Sequence, residues 1–325
     1  MKIWKKSSGY SRLRVYSDAI VRLSFSSISI EGIENIPRDG MVMFAPNHCC
    51  SLMDAMLVLL LRPHLPIGFG ARSDIFRKPG TARLLRWLRI LPVARERNGR
   101  QEVAKNYETF DEAIDCMDHG VPFCMYPEGR HRPERGMMPV RKGIFRVARM
   151  AMERTGKTVY VVPVAEDYEY FFRQCGKVSL RVGEPLNVND YIETHRGLPE
   201  IEVNKGLCET IQSRIESMLG GNIPRSEKRR AAIAEGKPFE EPPVADVVMR
   251  SLSAVMLSPL ALALTAASLP IWLPSRIILA GMRDKAWSHT VYFAFRVIFP
   301  VFAPFEWLRG VIFNFYNELF CDLFR

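Results

Sequence analysis

Residues 41–57 read MVMFAPNHCCSLMDAML: an apolar run, then Asn47 and His48, then Asp54 six positions beyond the histidine. The run lies between Gly40 and Pro46 and has the length and punctuation of a β-strand. Outward from it the pattern repeats. Strands are predicted at SISIEG (27–32), LPIGFGA (65–71), ILPVAR (90–95), PFCMYP (122–127), VYVVPVA (159–165) and KVSLRVG (177–183). Helical stripes stand between them: Val103, Tyr107, Phe110, Ile114 and Met117 before Gly120, and Ile144, Val147, Ala148 and Ala151 before Gly156. Strands alternating with helices predict an α/β layered fold with a mostly parallel central sheet flanked by helices.

Polar residues fall after these strands: Asn47 and His48, Arg95 and Arg97, Glu128 to Arg132, Glu166 and Asp167. In open α/β sheets ligands bind beyond the carboxyl ends of the strands, so parallel strands bring these loops to one cleft. His48 and Asp54 have the residue types of a base and its orienting carboxylate. Residues six apart on a regular helix point roughly 240° apart, so they meet only if His48 is in the loop and Asp54 in the first helical turn. Ser51 is placed to cap that turn, and the helix dipole keeps Asp54 ionised. Read alone, such a pair is more often structural than catalytic. Cys49 and Cys50 are read as small residues filling the turn, because the remaining histidines (64, 119, 131, 195 and 289) lack metal-ligand spacing. No metal is expected, and no G-x-S-x-G serine elbow is present. The run after Glu128 carries Arg130, His131, Arg132, Arg135, Arg141 and Lys142 around Gly129, a composition for binding an anion such as phosphate or lipid headgroups.

The 325 residues carry 45 Lys and Arg against 35 Asp and Glu, a formal charge of +10, which suits an anionic partner. No zinc-finger or RNA-binding signature accompanies that charge, so nucleic acid is not the expected partner. Seven cysteines without a C-x-x-C pair read as reduced thiols in the cytosol. Residues 1–27 are basic and broken by Arg12, Arg14 and Arg22, which excludes a signal peptide. They read as an amphipathic helix, lying on a membrane or packed on its own domain. Residues 28–220 form the main domain and 221–245 a charged linker, followed by hydrophobic, membrane-associated helices at 246–325. There Ser251 to Ser275 carries no charge and is long enough for a span of about 20 residues, while Pro259, Pro270 and Pro274 equally allow a re-entrant hairpin. Trp272, Trp287 and Trp307 suit an interfacial belt.

Taken in order, four blocks resemble the PlsC-type glycerolipid acyltransferases: NHCCSLMD, ILPVAR, YPEGRHRPERGMMPVRKGIFRVA and VVPV at 161–164. The likeness covers about residues 30–190. It departs in two places: five residues separate His48 from Asp54 where four are usual, and Arg130-His131 replaces the usual Thr-Arg. The resemblance implies a membrane-bound enzyme moving an acyl group from coenzyme A or acyl carrier protein to 1-acylglycerol-3-phosphate. Glycerol-3-phosphate or another lysolipid is the alternative acceptor, and a non-catalytic lipid-phosphate binder the alternative class. It assigns His48 and Asp54 as catalytic, and Arg95, Glu128, Gly129, Arg130 and Arg132 to the acceptor phosphate. Backbone donors near Gly129 stabilise the oxyanion, no cofactor is needed, and the site faces the cytoplasmic side of the membrane.

Overall fold

All six residues from Met41 to Pro46 are buried, which requires cover on both faces of the strand. The computed structural model describes residues 2–5, 7–94, 106–235 and 237–323 and supplies that cover. In chain order the elements are α1 (Ser8–Arg22), β1 (Ser27–Glu31), β2 (Met41–Pro46), α2 (Leu52–Val58), β3 (Gly68–Arg72), α3 (Pro79–Trp87), β4 (Ile90–Val93), α4 (Asn106–Asp118), β5 (Phe123–Cys124) and α5 (Gly143–Thr155). Then follow β6 (Val159–Tyr168), β7 (Lys177–Val182), β8 (Leu186–Asn187), α6 (Val188–Thr194), α7 (Glu200–Met218), α8 (Arg225–Ala234), α9 (Val244–Ala267), α10 (Leu269–Gly281), α11 (Ser288–Ile298) and α12 (Ala303–Leu323).

The strands lie in the order β1-β7-β6-β2-β5-β3-β4, with β8 beside β6. Strands β6, β2, β5, β3 and β4 run parallel, whereas β7 is antiparallel to β6 and parallel to β1. Side chains alternate between faces. Met41, Met43 and Ala45 pack with Phe110 and Ile114 of α4, Phe145 of α5 and Leu207 of α7. Val42 and Phe44 pack on the other side with Ile20 and Val21 of α1, Leu57 of α2 and Phe293 of α11. Pairing of Phe44 with Cys124 and of Pro46 with Val164 then sets the carboxyl ends of β2, β5 and β6 side by side. That alignment builds the site.

Helix α1 packs on the domain. Arg14 is 2% exposed, donates to the carbonyls of Leu59 (2.9 Å) and Leu65 (2.8 Å), and pairs with Asp18 at 3.1 Å. The predicted linker contains α8, whose Arg229 pairs with Glu241 at 2.7 Å. The uncharged stretch is divided between two helices. Helix α9 runs through Pro259, stops at Ser268, and α10 starts afresh with Pro270 in its first turn. Proline lacks the N–H that a first turn leaves unbonded anyway, so the break falls there.

Candidate active site

His48 sits in the loop after β2 and Asp54 in the first turn of α2, and His48 Nδ1 is 2.6 Å from Asp54 Oδ2. The carboxylate is fully buried, and donors surround it. The N–H groups of Cys49 (2.9 Å) and Cys50 (2.8 Å) reach Oδ2, and the Tyr168 hydroxyl reaches Oδ1 at 2.6 Å. Burial first, then the charge on Asp54, pushes the Tyr168 hydroxyl well up, so it remains a donor. A buried anion needs such partners, and here they fix its direction as well. With Nδ1–H on Asp54, the lone pair is on Nε2. The His48 side chain keeps 17% of its surface open to solvent.

Ser51 does not cap α2. It adopts φ 54°, ψ −122°, makes no capping bond, and its buried hydroxyl has no hydrogen-bond partner among the described residues. The turn it makes absorbs the fifth residue of the interval and lets the Cys49 and Cys50 N–H groups fold back onto Asp54. Both thiols are buried, and desolvation followed by the Asp54 charge pushes them well up, so neither supplies a thiolate.

The second loop is joined to the first through backbone. Glu128 Oε1 accepts the His48 N–H (2.7 Å) and Oε2 the Met138 N–H (3.0 Å), while Arg132 N–H donates to the His48 carbonyl at 2.9 Å. Glu128 was expected among the phosphate-binding residues. It is 4% exposed instead, with both oxygens occupied, and it holds the two loops together. Burial raises its pKa, held back by those two N–H groups. Gly129 takes φ 71°, a left-handed turn that a side chain resists, and its own N–H is engaged on the Tyr126 carbonyl at 3.1 Å. Arg130 is exposed, with Nε 3.1 Å from Met138 Sδ. Arg132 is partly exposed beside Glu134 at 3.4 Å. Arg95 and Arg97 lie outside the described residues.

Glu166 and Asp167 are inside β6, not beyond it. The Asn47 side chain pins this strand to the histidine loop, accepting the Glu166 N–H (2.7 Å) and donating to its carbonyl (3.0 Å). Neither carboxyl oxygen of Glu166 has a hydrogen-bond partner among the described residues, and burial followed by the Asp54 charge pushes this acid well up.

Three further contacts were not legible in the sequence. Tyr126 stacks on the His48 ring at 4.1 Å, Tyr168 reaches Asp54 from 114 residues away, and His131 stands edge-on to His48 at 5.5 Å. The other side of His131 holds Asp284, with Nε2 2.6 Å from Oδ2, and Trp287 is edge-on to it at 6.2 Å. The segment between α10 and α11 therefore borders the site. Chemically, the arrangement is a base held by Asp54 on a partly open imidazole, with a cationic loop alongside.

Residues 27–166 match the family model described as Acyltransferase. Among solved structures, the chain is similar to the 1-acyl-sn-glycerophosphate (LPA) acyltransferase PlsC from Thermotoga maritima, at 25% identity and a TM-score of 0.45. The likeness covers 64% of this chain and 79% of that one. No curated protein matches the chain.

Proposed function

The chain carries an acyltransferase-family domain over residues 27–166, and from that premise we propose that it transfers a fatty acyl group from a coenzyme A or acyl carrier protein thioester to the free hydroxyl of 1-acylglycerol-3-phosphate at a membrane surface. The observation that carries this reading is the 2.6 Å bond from His48 to a fully buried, four-fold hydrogen-bonded Asp54. His48 Nε2 removes the proton from the acceptor hydroxyl as its oxygen bonds to the thioester carbonyl. Asp54 keeps the ring oriented and stabilises the imidazolium. The negative charge on the tetrahedral carbonyl oxygen is met by backbone donors of the second loop beyond Gly129, whose own N–H is engaged. When the carbonyl re-forms, the carbon–sulfur bond breaks and the thiolate takes the proton back from His48. Products are the ester and the free thiol, with no acyl-enzyme and no step calling for a metal or redox group.

In this reading Arg130 and Arg132 hold the acceptor phosphate, which their position in the loop tied to His48 supports; Arg95 is assigned to the same task from the sequence. The longer interval between His48 and Asp54 favours glycerol-3-phosphate as the second reading. The test offers labelled acyl thioester, on either carrier, with lysophosphatidate or glycerol-3-phosphate separately, to wild type and His48→Ala. Ester is expected from lysophosphatidate, with turnover falling about 10²- to 10⁴-fold in the variant. Undiminished turnover in His48→Ala, or no ester from either acceptor by folded protein, defeats the proposal.

A further inference from the structure

Length and composition permit α9 to cross a bilayer. Its neighbours do not. Helix α12 lies antiparallel along it: Arg250 pairs with Asp322 at 2.7 Å, the Tyr316 hydroxyl donates to the Ala254 carbonyl at 3.0 Å, and Ala261 and Leu264 are buried with Ile312. The opposite side of α12 is fastened to the sheet domain over the same length. Trp307 Nε1 donates to the Phe25 carbonyl (2.8 Å) and Asn314 to the Gln174 carbonyl (2.8 Å). Glu318 accepts from the hydroxyls of Ser226 (2.7 Å) and Tyr170 (3.1 Å), and Arg229 donates to the Cys321 carbonyl (2.8 Å).

From Glu306 to Asp322 this seam is about 24 Å long at 1.5 Å per residue, comparable with a bilayer core of about 30 Å. If α9 crossed the hydrocarbon, α12 would cross beside it and draw in Tyr170, Gln174 and Ser226 with their loops. Polar irregular backbone is not tolerated there. Helix α9 therefore runs along the surface of the domain, about 8–10 Å beyond α12.

Its outer face is apolar. Val248, Met249, Leu252, Val255, Met256 and Leu262 are each at least half exposed and recur at helical spacing. Helix α10 in turn exposes Ile277 and Ile278, accompanied by exposed Arg276 and followed by exposed Arg283. The next residue, Asp284, bonds His131 at the mouth of the site. We infer that α9 is an in-plane anchor, lying in the headgroup–acyl boundary of one anionic leaflet, with Arg276 and Arg283 on the headgroups. The inference rests on the acceptor being a membrane lipid. Charge complementarity selects the occupant: an apolar stripe with flanking cations on a chain of formal charge +10 fits an anionic leaflet.

The test uses the full chain with Cys208→Ser and Cys321→Ser, because the other five cysteines are buried. Single labels enter at Met249→Cys, Met256→Cys and Leu262→Cys. Each is read against phosphatidylcholine vesicles, with or without phosphatidylglycerol, containing shallow or deep spin-labelled quenching lipids. All three labels are expected at one depth, about 5–10 Å into the boundary, with tighter binding when phosphatidylglycerol is present. A Met256 label about 10 Å deeper than a Met249 label identifies a span and overturns the inference. So do vesicle-bound protein with unquenched labels, and labels shielded in a dimer without lipid. Acyl transfer to a short-chain, monomeric lysophosphatidate on the same samples reports the enzymatic reading separately. Activity there without vesicle binding defeats the anchor alone.

Discussion

Ser51 is the residue on which the longer interval turns. A non-glycine residue at φ 54°, ψ −122° stores strain on the order of 1–3 kcal/mol, and the geometry persists because three donors and α2 hold Asp54 around it. Ser51→Gly is therefore expected to raise stability by about 1 kcal/mol without moving the His48–Asp54 bond, and Ser51→Val to lower it by more. Thermal melts with turnover on the same samples check this; equal melting of all three refutes it. Glu166 gives a pH signature. Its pKa is raised in the fold, so its contribution is full below the ordinary glutamate pKa and is lost as pH rises through the raised value. The stability of Glu166→Gln relative to wild type should thus grow as pH rises above the ordinary glutamate range. A pH-independent difference in denaturant unfolding contradicts the assignment. At this scale the sequence showed His48 and Asp54 because they are close in the chain. Tyr168 and the inward turn of Glu128 were hidden because strand register creates their contacts. The Ser51 cap was misread because capping needs an extended backbone that the interval does not allow.

Among the elements, α12 is used from both sides, and Gly310 is where it faces Cys175 of the domain. A Cβ there would stand 2.6 Å from Cys175 Sγ and 3.0 Å from Cys175 Cβ. Gly310→Ala should destabilise by about 1–3 kcal/mol through overpacking. Cys175→Gly, which removes the obstructing atoms from a residue at φ 58°, should recover most of that loss in the double variant. Additive losses in urea unfolding would show that the two residues do not meet. Each run read as a strand contains one, since short apolar runs between turn residues carry that information locally; PFCMYP shrinks to Phe123–Cys124 because the chain turns at Tyr126 to deliver Glu128. The two-residue β8 was not anticipated, being too short for any periodicity.

At the scale of the whole molecule, composition identified an apolar C-terminal region but not its orientation. Which side of a helix is covered depends on its neighbours, and α12 partners such as Phe25, Tyr170 and Gln174 lie more than a hundred residues upstream. The same contacts decide what joins the two halves. Residues 237–243 form neither helix nor strand and carry the chain from α8 to α9, their Glu241 paired back onto Arg229 of α8. The grip lies elsewhere, in the fully buried Arg296–Glu306 pair beside Gln174 and Cys175, in Trp307 on Phe25, and in His131 on Asp284. Covalent continuity and mechanical continuity are thus separate properties of this chain. One peptide bond severed in the connector would leave two polypeptides and one particle, because the seam between them was never made of the main chain that was cut.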